Sequence, residues 1–377
     1  MRNILKIEFN PDRIYGLDVL RAAAIFFVLV PHGGFLLPQR LKMASYFFSL
    51  DGVSIFFVLS GFLLGGILIK NLEKATFTKT DLINFWVRRW FRTLPNYFLI
   101  LTVLCIFSYY TDDGFALGNL AKYFVFSQNL FEPQPEGFFP EAWSLSVEEW
   151  FYLLIPVIIF LLIVFLKVKP KKAVLSTVIL IIATITLFRY IRFENTIILN
   201  YGDWDMYYRK QVCTRLDSIM FGVLGSYFQF YYRQSWIRYK FQLLIAGMIL
   251  LICSTHFFSR LFISYGGMYS CVFSFTVVSL AVLFLLPFLS ELRTGKGWIY
   301  RGVTYTSLIS YSMYLLNFSI IQRCIVNKIK WTLFLDSEYA ICFVQYFLYW
   351  ILVFVFSILL YKYFEMPMTR LRERINR

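Results

Sequence analysis

Apolar runs of 18 or more residues recur along the whole chain, and polar residues collect in short segments between them. Runs of this length are typical of transmembrane helices, because about 20 helical residues cross the hydrocarbon core of a bilayer. The pattern predicts an all-α, polytopic membrane helix bundle with about ten transmembrane helices. The predicted spans are residues 16–36, 46–69, 93–110, 143–166, 173–190, 213–232, 241–257, 267–289, 303–324 and 340–361.

Basic residues predict the orientation of the bundle. About two thirds of the 37 lysines and arginines fall in segments on the same side of the membrane as the N-terminus. Cytoplasmic loops carry this excess, so an even number of spans places both termini in the cytoplasm. A net charge of +15 would suggest a nucleic-acid partner in a soluble chain. The charged loops explain it here, and no nucleic acid is expected.

The chain shows no internal repeat and no hydrophilic stretch long enough to fold alone. We therefore expect one integral membrane domain over residues 1–377, with no appended soluble domain. The first apolar run is too long for a cleavable signal peptide. No metal site and no permanently bound cofactor are expected.

The first predicted span carries three ionisable side chains, Asp18, Arg21 and His32. Burying a charge in lipid costs about 2.5–3.5 kcal/mol, so such residues mark functional positions. Arg21 and His32 lie within ~20° of one helix face and ~16 Å apart along the axis. Asp18 lies one turn from Arg21 and is predicted to pair with it. Because histidine moves protons near neutral pH, His32 is the candidate catalytic residue on the wall of a cleft. The alternative is an interfacial residue at the end of the helix.

Carboxylates on the predicted outer side are candidates for a role beside His32. The stretch WSLSVEEW opens the fourth span with Glu148 and Glu149. Their side chains point about 100° apart on a helix, so at most one faces a given neighbour squarely. Either could hold the histidine in one tautomer, and Asp51 at the outer start of the second span could orient the same ring. The alternative for all three is an interfacial position without chemistry.

A dense cationic stretch, WVRRWFRTLPNYF, precedes the third span on the predicted cytoplasmic side. Forked guanidinium groups suit phosphate binding, which makes Arg88, Arg89 and Arg92 candidates for holding an anionic donor. Positive-inside anchoring is the alternative. Together with the outer acids, the arginines predict a basic inner entrance, with Arg21 toward the inner leaflet, and a mixed acid–base outer chamber.

Other polar residues in or beside the spans are candidate substrate contacts. For Asn317 the alternative is a hydrogen bond between helices, and tryptophan is common at membrane interfaces. The candidates are Asp18, Asp51, Trp143, Arg215, Asp217, Tyr314 and Asn317.

The second span contains glycines at a spacing that predicts close helix contact. Gly61, Gly65 and Gly66 form a small-residue face. Such a face lets a neighbouring helix approach closely in the membrane.

Six stretches resemble, in the expected order, motifs of the acyltransferase-3 family of integral membrane acyltransferases. The resemblance covers essentially the whole chain. The stretches are LDVLRAAAIFFVLVPH, VSIFFVLSGFLL, RRWFRTLPNYF, WSLSVEEWFYLLIP, SYSMYLLN and YFEMPMTRLRER.

The resemblance implies transfer of an acyl group, most often acetyl, from cytoplasmic acyl-CoA to a hydroxyl. The implied acceptor is a glycan or glycolipid at the outer face of a bacterial inner membrane, such as lipopolysaccharide or peptidoglycan. By resemblance, His32 is the catalytic base, Arg21 is its essential partner, and Arg89 and Arg92 belong to the CoA-binding mouth.

The chain departs from the family pattern at two positions. Asn317 stands where the family usually has histidine, and Ser54 stands where members often carry an acid. Asp51, three residues before Ser54, is a candidate substitute. Many relatives also append an extracytoplasmic domain, so we expect direct delivery to the acceptor or to a separate partner.

The alternative function is a polysaccharide or small-molecule transporter or flippase without acyl transfer. A transporter usually shows inverted repeats or paired broken helices, and the sequence shows neither. A glycan polymerase would need a large outer catalytic loop, whereas the longest predicted outer segment has about thirty residues. The sequence therefore favours the acyltransferase.

Overall fold

The computed structural model describes residues 13–47, 50–74, 78–111, 117–135, 137–257 and 265–375. Over these ranges the chain is helical and contains no β-strand, which confirms the predicted all-α class. Ten long helices lie in these ranges, joined by loops and short helical turns. They are α1 (Tyr15–Gly34), α2 (Gly52–Leu72), α3 (Lys79–Thr111), α4 (Ala142–Val164), α5 (Pro170–Asn195), α6 (Val212–Tyr231), α7 (Lys240–Ile252), α8 (Ser274–Leu289), α9 (Gly297–Leu316) and α10 (Glu338–Leu360).

Seven helices in the described ranges are long and apolar enough to cross a membrane, which makes the chain a multi-pass membrane protein. They are α1 to α5, the segment Tyr269–Leu289 that contains α8, and the segment Glu338–Leu371 that begins with α10. Helix α7 is apolar but shorter, and α6 and α9 are more polar. The count of ten spans and the cytoplasmic position of both termini stay predictions.

The largest difference from the predicted boundaries is at α3. The sequence predicted a basic loop followed by a span over 93–110, but the helix runs continuously over Lys79–Thr111. Its 33 residues are ~50 Å long. Arg88, Arg89 and Arg92 therefore project from a helix. The apolar run ends at the arginines. The apolar pattern therefore does not reveal the polar first half of the helix, which packs on the protein by one side only.

Helices α2 and α6 cross at short distance through glycines. A Cβ atom built at Gly61 would lie 1.9 Å from a backbone carbonyl oxygen of α6, and one at Gly222 would lie 2.0 Å from a carbonyl oxygen of α2. The predicted small-residue face is confirmed for Gly61 and Gly65. It is wrong for Gly66, where the nearest atom of another helix would be 4.0 Å from the added Cβ.

Two arginine–aspartate pairs lie inside the bundle. Arg189 of α5 and Asp217 of α6 are fully buried, with 2.7 Å between Nη2 and Oδ2. Arg215 of α6 is also fully buried; it lies 3.5 Å from Asp51 and donates a 2.5 Å hydrogen bond to Ser54 Oγ. Because a buried charge is costly unless it is paired, these contacts tie α2, α5 and α6 together.

Helices α9 and α10 are among those that continue into π-helical segments. Helix α9 passes into Asn317–Ile325, and α10 passes into Tyr361–Glu365. π-helical turns are rare in proteins, but those that occur are often found at functional sites. The first of these segments begins with Asn317 and the second ends with Glu365, and both residues are buried.

Candidate active site

Helices α1, α2, α3, α4 and α9 enclose a chamber of about 120 Å³. One wall is apolar and comes mainly from α2. Among the residues predicted from the sequence, the chamber brings together Arg21, Arg89, Arg92, Glu148 and Tyr314. The other polar lining residues are Ser60, Thr93, Ser144, Tyr152, Ser310 and Tyr311.

The chamber adjoins an open groove on the predicted cytoplasmic side. Arg89 and Arg92 line both spaces, and Arg88 lines the groove. Lys74 and Asn71, from the end of α2, extend the groove. A row of guanidinium groups therefore leads from the surface into the interior, and guanidinium groups bind phosphate through two parallel hydrogen bonds.

The two adjacent glutamates of α4 face different neighbours. Glu148 projects into the chamber and accepts a 2.7 Å hydrogen bond from the Tyr152 hydroxyl. Glu149 faces α3, where it accepts hydrogen bonds from Trp90 Nε1 at 3.1 Å and Thr93 Oγ1 at 2.9 Å. This confirms that the pair is divided between two neighbours, and Glu148 is the member on the chamber.

The chamber joins charges that the sequence analysis placed at different depths. We predicted Arg21 toward the inner leaflet, the α3 arginines at a separate cytoplasmic mouth, and the glutamates toward the outer leaflet. That separation is wrong, because Arg21, Arg89, Arg92 and Glu148 surround one space. The length of α3 is the reason: Arg89 and Arg92 lie ten and thirteen residues after Lys79, ~15–20 Å along the axis, and reach the level of α4.

His32 lies in the last turn of α1 and is half-buried. Its Nδ1 is 2.6 Å from Oδ1 of Asn317, and its backbone carbonyl accepts a 3.0 Å hydrogen bond from Gln322 Nε2. The Phe318 ring centroid lies 5.0 Å from the imidazole centroid. His32 is outside the chamber lining, but Tyr314, which lines the chamber, is only one helical turn from Asn317.

The partner of the imidazole is therefore different from the one we expected. We predicted that Asp51, Glu148 or Glu149 would hold the ring, and the structure gives that position to Asn317. The three carboxylates are engaged elsewhere, because Arg215 pairs with Asp51 while α3 and α4 side chains donate to the glutamates.

Asp18 pairs mainly with a residue that the sequence analysis did not single out. The buried Asp18 carboxylate accepts hydrogen bonds from Arg13 Nε at 2.9 Å and from Ser307 Oγ at 2.6 Å. Arg21 Nη1 is 4.0 Å from the same carboxylate. The predicted Asp18–Arg21 contact is thus at the edge of ion-pair distance, and the Arg21 guanidinium lines the chamber.

Three predicted substrate contacts lie in the packed interior. Arg215 and Asp217 are fully buried in the ion pairs between helices. Trp143 is 3% exposed, and the Arg209 guanidinium lies 5.2 Å from its ring centroid. These side chains serve packing and ion pairing, which is the structural alternative to substrate binding.

Two buried carboxylates near the site escaped the sequence analysis. Glu141, just before α4, accepts the backbone N–H groups of two consecutive residues of the π-helical segment, at 3.2 and 2.7 Å. Glu365 accepts hydrogen bonds from Asn96 Nδ2 at 3.0 Å and Ser312 Oγ at 2.6 Å. Glu365 lies in the YFEMPM motif, which was the available signal. No local signal marks Glu141, because its partners are distant in sequence.

A charged segment between α5 and α6 lies near enough to His32 to act on it electrostatically. Asp205 pairs with Arg209 and Lys210, each at 2.5 Å. Burial alone would raise the pKa of Asp205, but the two cations hold it below its usual value. All three charges act electrostatically on His32.

The fold and the site define an integral membrane helix bundle with a basic groove, an inner polar chamber and a histidine beside it. The model of the acyltransferase-3 family, described as an acyltransferase domain, matches residues 14–366. The chain belongs to the acyltransferase-3 family, as the motifs predicted.

Similar proteins include O-acetyltransferases of Staphylococcus aureus and Listeria monocytogenes. The O-acetyltransferase OatA of Staphylococcus aureus (strain NCTC 8325 / PS 47) is 27% identical over 245 residues, covering 59% of this chain and 36% of the relative. The peptidoglycan O-acetyltransferase OatA of Listeria monocytogenes serovar 1/2a is 32% identical over 194 residues, covering 46% of this chain and 28% of the relative. A Staphylococcus aureus (strain COL) protein, named as a candidate O-acetyltransferase, is 25% identical over 393 residues, 94% of this chain and 57% of the relative.

The chain thus spans about a third of the length of the OatA relatives it matches. No solved structure gives a significant match.

Proposed function

We propose that the chain is a membrane O-acyltransferase that moves an acyl group, most often acetyl, from cytoplasmic acyl-CoA to a hydroxyl of a glycan or glycolipid at the outer face. The family membership supports acyl transfer. The observation that carries the direction of transfer is the row formed by Arg88, Arg89 and Arg92, which leads from an open groove into the chamber beside α1. The protein would lie in the inner membrane with both termini in the cytoplasm.

The donor would bind with its phosphates on the arginine row and extend its thioester through the chamber toward His32. Arg88 and Lys74 lie in the groove, where a nucleotide diphosphate would make charge-assisted hydrogen bonds. Arg89 and Arg92 continue the positive charge inward. The apolar α2 wall suits the acyl chain, and Arg21 adds positive charge to the same space.

His32 would act as the general base. Its imidazole takes the proton from the acceptor hydroxyl as the oxygen attacks the thioester carbonyl. The C–S bond breaks, and the proton passes from the imidazolium to the departing thiolate of CoA. General base catalysis of this kind contributes about 10²–10⁴-fold. Transfer through an acyl-histidine intermediate is the mechanistic variant.

The acceptor would approach from the opposite side. His32 ends α1 next to the charged segment of Asp205, Arg209 and Lys210, away from the arginine row. The Listeria relative is named as a peptidoglycan O-acetyltransferase. Peptidoglycan fragments are therefore the first acceptors to test.

A thiol-release assay tests the proposal. Vesicles that contain the protein receive acetyl-CoA with and without peptidoglycan fragments, and free CoA and acetylated product are measured. We expect acceptor-dependent release of CoA and one acetyl group on the product. His32→Ala should lower kcat by about 10²-fold or more at unchanged abundance. Transport of the acceptor without CoA release would support the transporter, and equal activity of His32→Ala would rule out the proposed base.

The arginine row gives a separate prediction. Arg89→Gln removes a charged donor worth about 1.5–3 kcal/mol to a phosphate, so the KM for acetyl-CoA should rise about 10–100-fold. The KM for the acceptor should change little. Arg301→Gln, an exposed arginine at the start of α9, is the matched control. Equal effects of both variants on the two KM values would refute donor binding at this row.

A further inference from the structure

The neighbouring groups determine which atom is the donor and which is the acceptor in the hydrogen bond between His32 and Asn317. A neutral imidazole carries its proton on one ring nitrogen and accepts on the other. The Asn317 amide presents an oxygen or an NH₂ group to Nδ1, depending on how it is turned. With the oxygen toward the ring, Nδ1–H donates and Nε2 holds the lone pair. With the NH₂ toward the ring, Nε2 would carry the proton and could not act as a base.

Two backbone carbonyls fix the Asn317 amide. The Asn317 Nδ2 lies 3.1 Å from the carbonyl oxygen of Met313 and 2.7 Å from that of Tyr314. A carbonyl oxygen only accepts hydrogen bonds, so both positions require the NH₂ group. The amide oxygen is therefore the atom 2.6 Å from His32 Nδ1. A turned amide would lose two hydrogen bonds in a fully buried position.

Glu141 holds the backbone that carries Asn317. Its Oε1 accepts the N–H groups of Phe318 at 3.2 Å and Ser319 at 2.7 Å, and its Oε2 accepts from the Ser319 hydroxyl. In a regular α-helix these two N–H groups would donate to carbonyls four residues earlier. The carboxylate thus caps the π-helical segment at the point where the helix changes form, as an anion at a helix N-terminus does.

We propose that Asn317 and Glu141 are the positioning residues of the transfer reaction: Asn317 holds His32 in the tautomer whose Nε2 takes the proton, and Glu141 holds Asn317 in place. This inference rests on the proposed function. The acceptor O–H bond breaks, its proton joins Nε2, the oxygen bonds to the acyl carbon, and CoA leaves and takes that proton. Nδ1–H keeps its hydrogen bond to Asn317 throughout, so the imidazolium is stabilised as it forms.

Substitutions at Asn317 separate this role from packing. Asn317→Asp keeps an oxygen that accepts from Nδ1–H but loses the two hydrogen bonds that Nδ2 donates to backbone carbonyls, so kcat should fall by up to about tenfold. Its added negative charge should favour the imidazolium over the neutral ring, whose other charged neighbours are Asp205, Arg209 and Lys210. The acid limb of the pH–kcat profile should therefore move to higher pH. Asn317→Leu removes the acceptor and should lower kcat about 10²-fold or more, with the KM for acetyl-CoA nearly unchanged.

Glu141 has its own pair of variants. Glu141→Gln keeps the oxygen that accepts both N–H groups and should retain kcat within about fivefold. Glu141→Leu leaves those groups without the carboxylate and should lower kcat about 10²-fold, again with little change in the KM for acetyl-CoA. Asn195→Leu, at the exposed end of α5, is the control for an asparagine-to-leucine change and should leave kcat unchanged.

A spectroscopic measurement tests the tautomer without turnover. The full-length protein, labelled with ¹⁵N-histidine, shows two histidine ring systems, and His32→Gln assigns the one of interest. We expect a protonated Nδ1 and an unprotonated Nε2 in the wild type, and a shift toward Nε2–H in Asn317→Leu.

Each result supports or overturns the inference. A wild-type kcat in Asn317→Leu, or an Nε2–H signal in the wild-type protein, would overturn the inference. In that case an inactive His32→Ala would still support the proposed function. Equal activity of wild type and His32→Ala would instead refute the proposed function itself. Equal loss in Asn317→Asp and Asn317→Leu, with an unchanged tautomer signal, would assign Asn317 to packing and also overturn the inference.

Discussion

Replacing Gly61 by alanine tests how closely α2 and α6 are packed. The added Cβ would lie 1.9 Å from the carbonyl oxygen of Ile219. Real Cβ contacts are longer than 3.0 Å, so the two backbones would have to separate by about 1 Å or more. The obstacle is a backbone carbonyl and not the end of a flexible side chain, so a change of rotamer cannot relieve it.

The expected loss of stability is at the upper end of the range for overpacking, about 3 kcal/mol. The matched control is Gly66→Ala, one turn further along α2, where the nearest atom would be 4.0 Å from the new Cβ. Alanine at an open helical position is neutral or stabilising by up to about 1 kcal/mol. The two variants should therefore differ by about 3–4 kcal/mol although the chemical change is identical.

Thermal unfolding in detergent micelles measures this difference directly. Gly61→Ala should unfold several degrees below wild type, and Gly66→Ala should unfold at or slightly above it. Helix α2 also forms the apolar wall of the chamber, so acyl transfer should fall in Gly61→Ala and persist in Gly66→Ala. Equal unfolding temperatures for both variants would refute the close crossing.

Two further predictions concern buried and loop charges. Arg189→Leu leaves Asp217 buried without its partner and should lower the free energy of unfolding by about 3–5 kcal/mol. Arg189→Met combined with Asp217→Leu should recover most of that loss. If chemical unfolding showed Arg189→Leu to be as stable as wild type, this prediction would be contradicted. The folded-state pKa of Asp205 is depressed, because its two cations outweigh the opposing effect of burial. Its ion pairs therefore stabilise the fold at pH values above the unfolded-state pKa of ~3.9. This stabilisation is lost as the pH falls through the folded-state pKa. The stability difference between wild type and Asp205→Asn should therefore persist at neutral pH and shrink below about pH 4, and a difference independent of pH would argue against it.

The helical architecture could be predicted because long apolar runs and basic loops report directly on membrane insertion. The start of α3 could not, because its first half is polar and becomes helical by packing on one side against the bundle. That one boundary decided the depth of Arg89 and Arg92. The predicted depths therefore separated Arg21, Glu148 and the α3 arginines. The structure places these charges around a single chamber.

The partners of the predicted site residues depended on contacts between distant parts of the chain. Asn317 lies 285 positions from His32, and no local pattern connects them. Glu148 and Asp51 were plausible partners by predicted depth alone, but each has a nearer donor. Glu141 shows the same limit, since its carboxylate contacts a segment 177 positions away. Spacing within one helix identified the histidine, whereas the residues that hold it are set by tertiary packing.

The central claim is that an acyl group enters from the arginine side and leaves on the histidine side. Sealed proteoliposomes with radiolabelled acetyl-CoA enclosed and peptidoglycan fragments outside test it most directly, with the protein's orientation determined by protease accessibility. For molecules whose arginine groove faces the lumen, we predict label on the external acceptor, and loss of that label in His32→Ala. Labelling only when donor and acceptor occupy the same side would contradict the account.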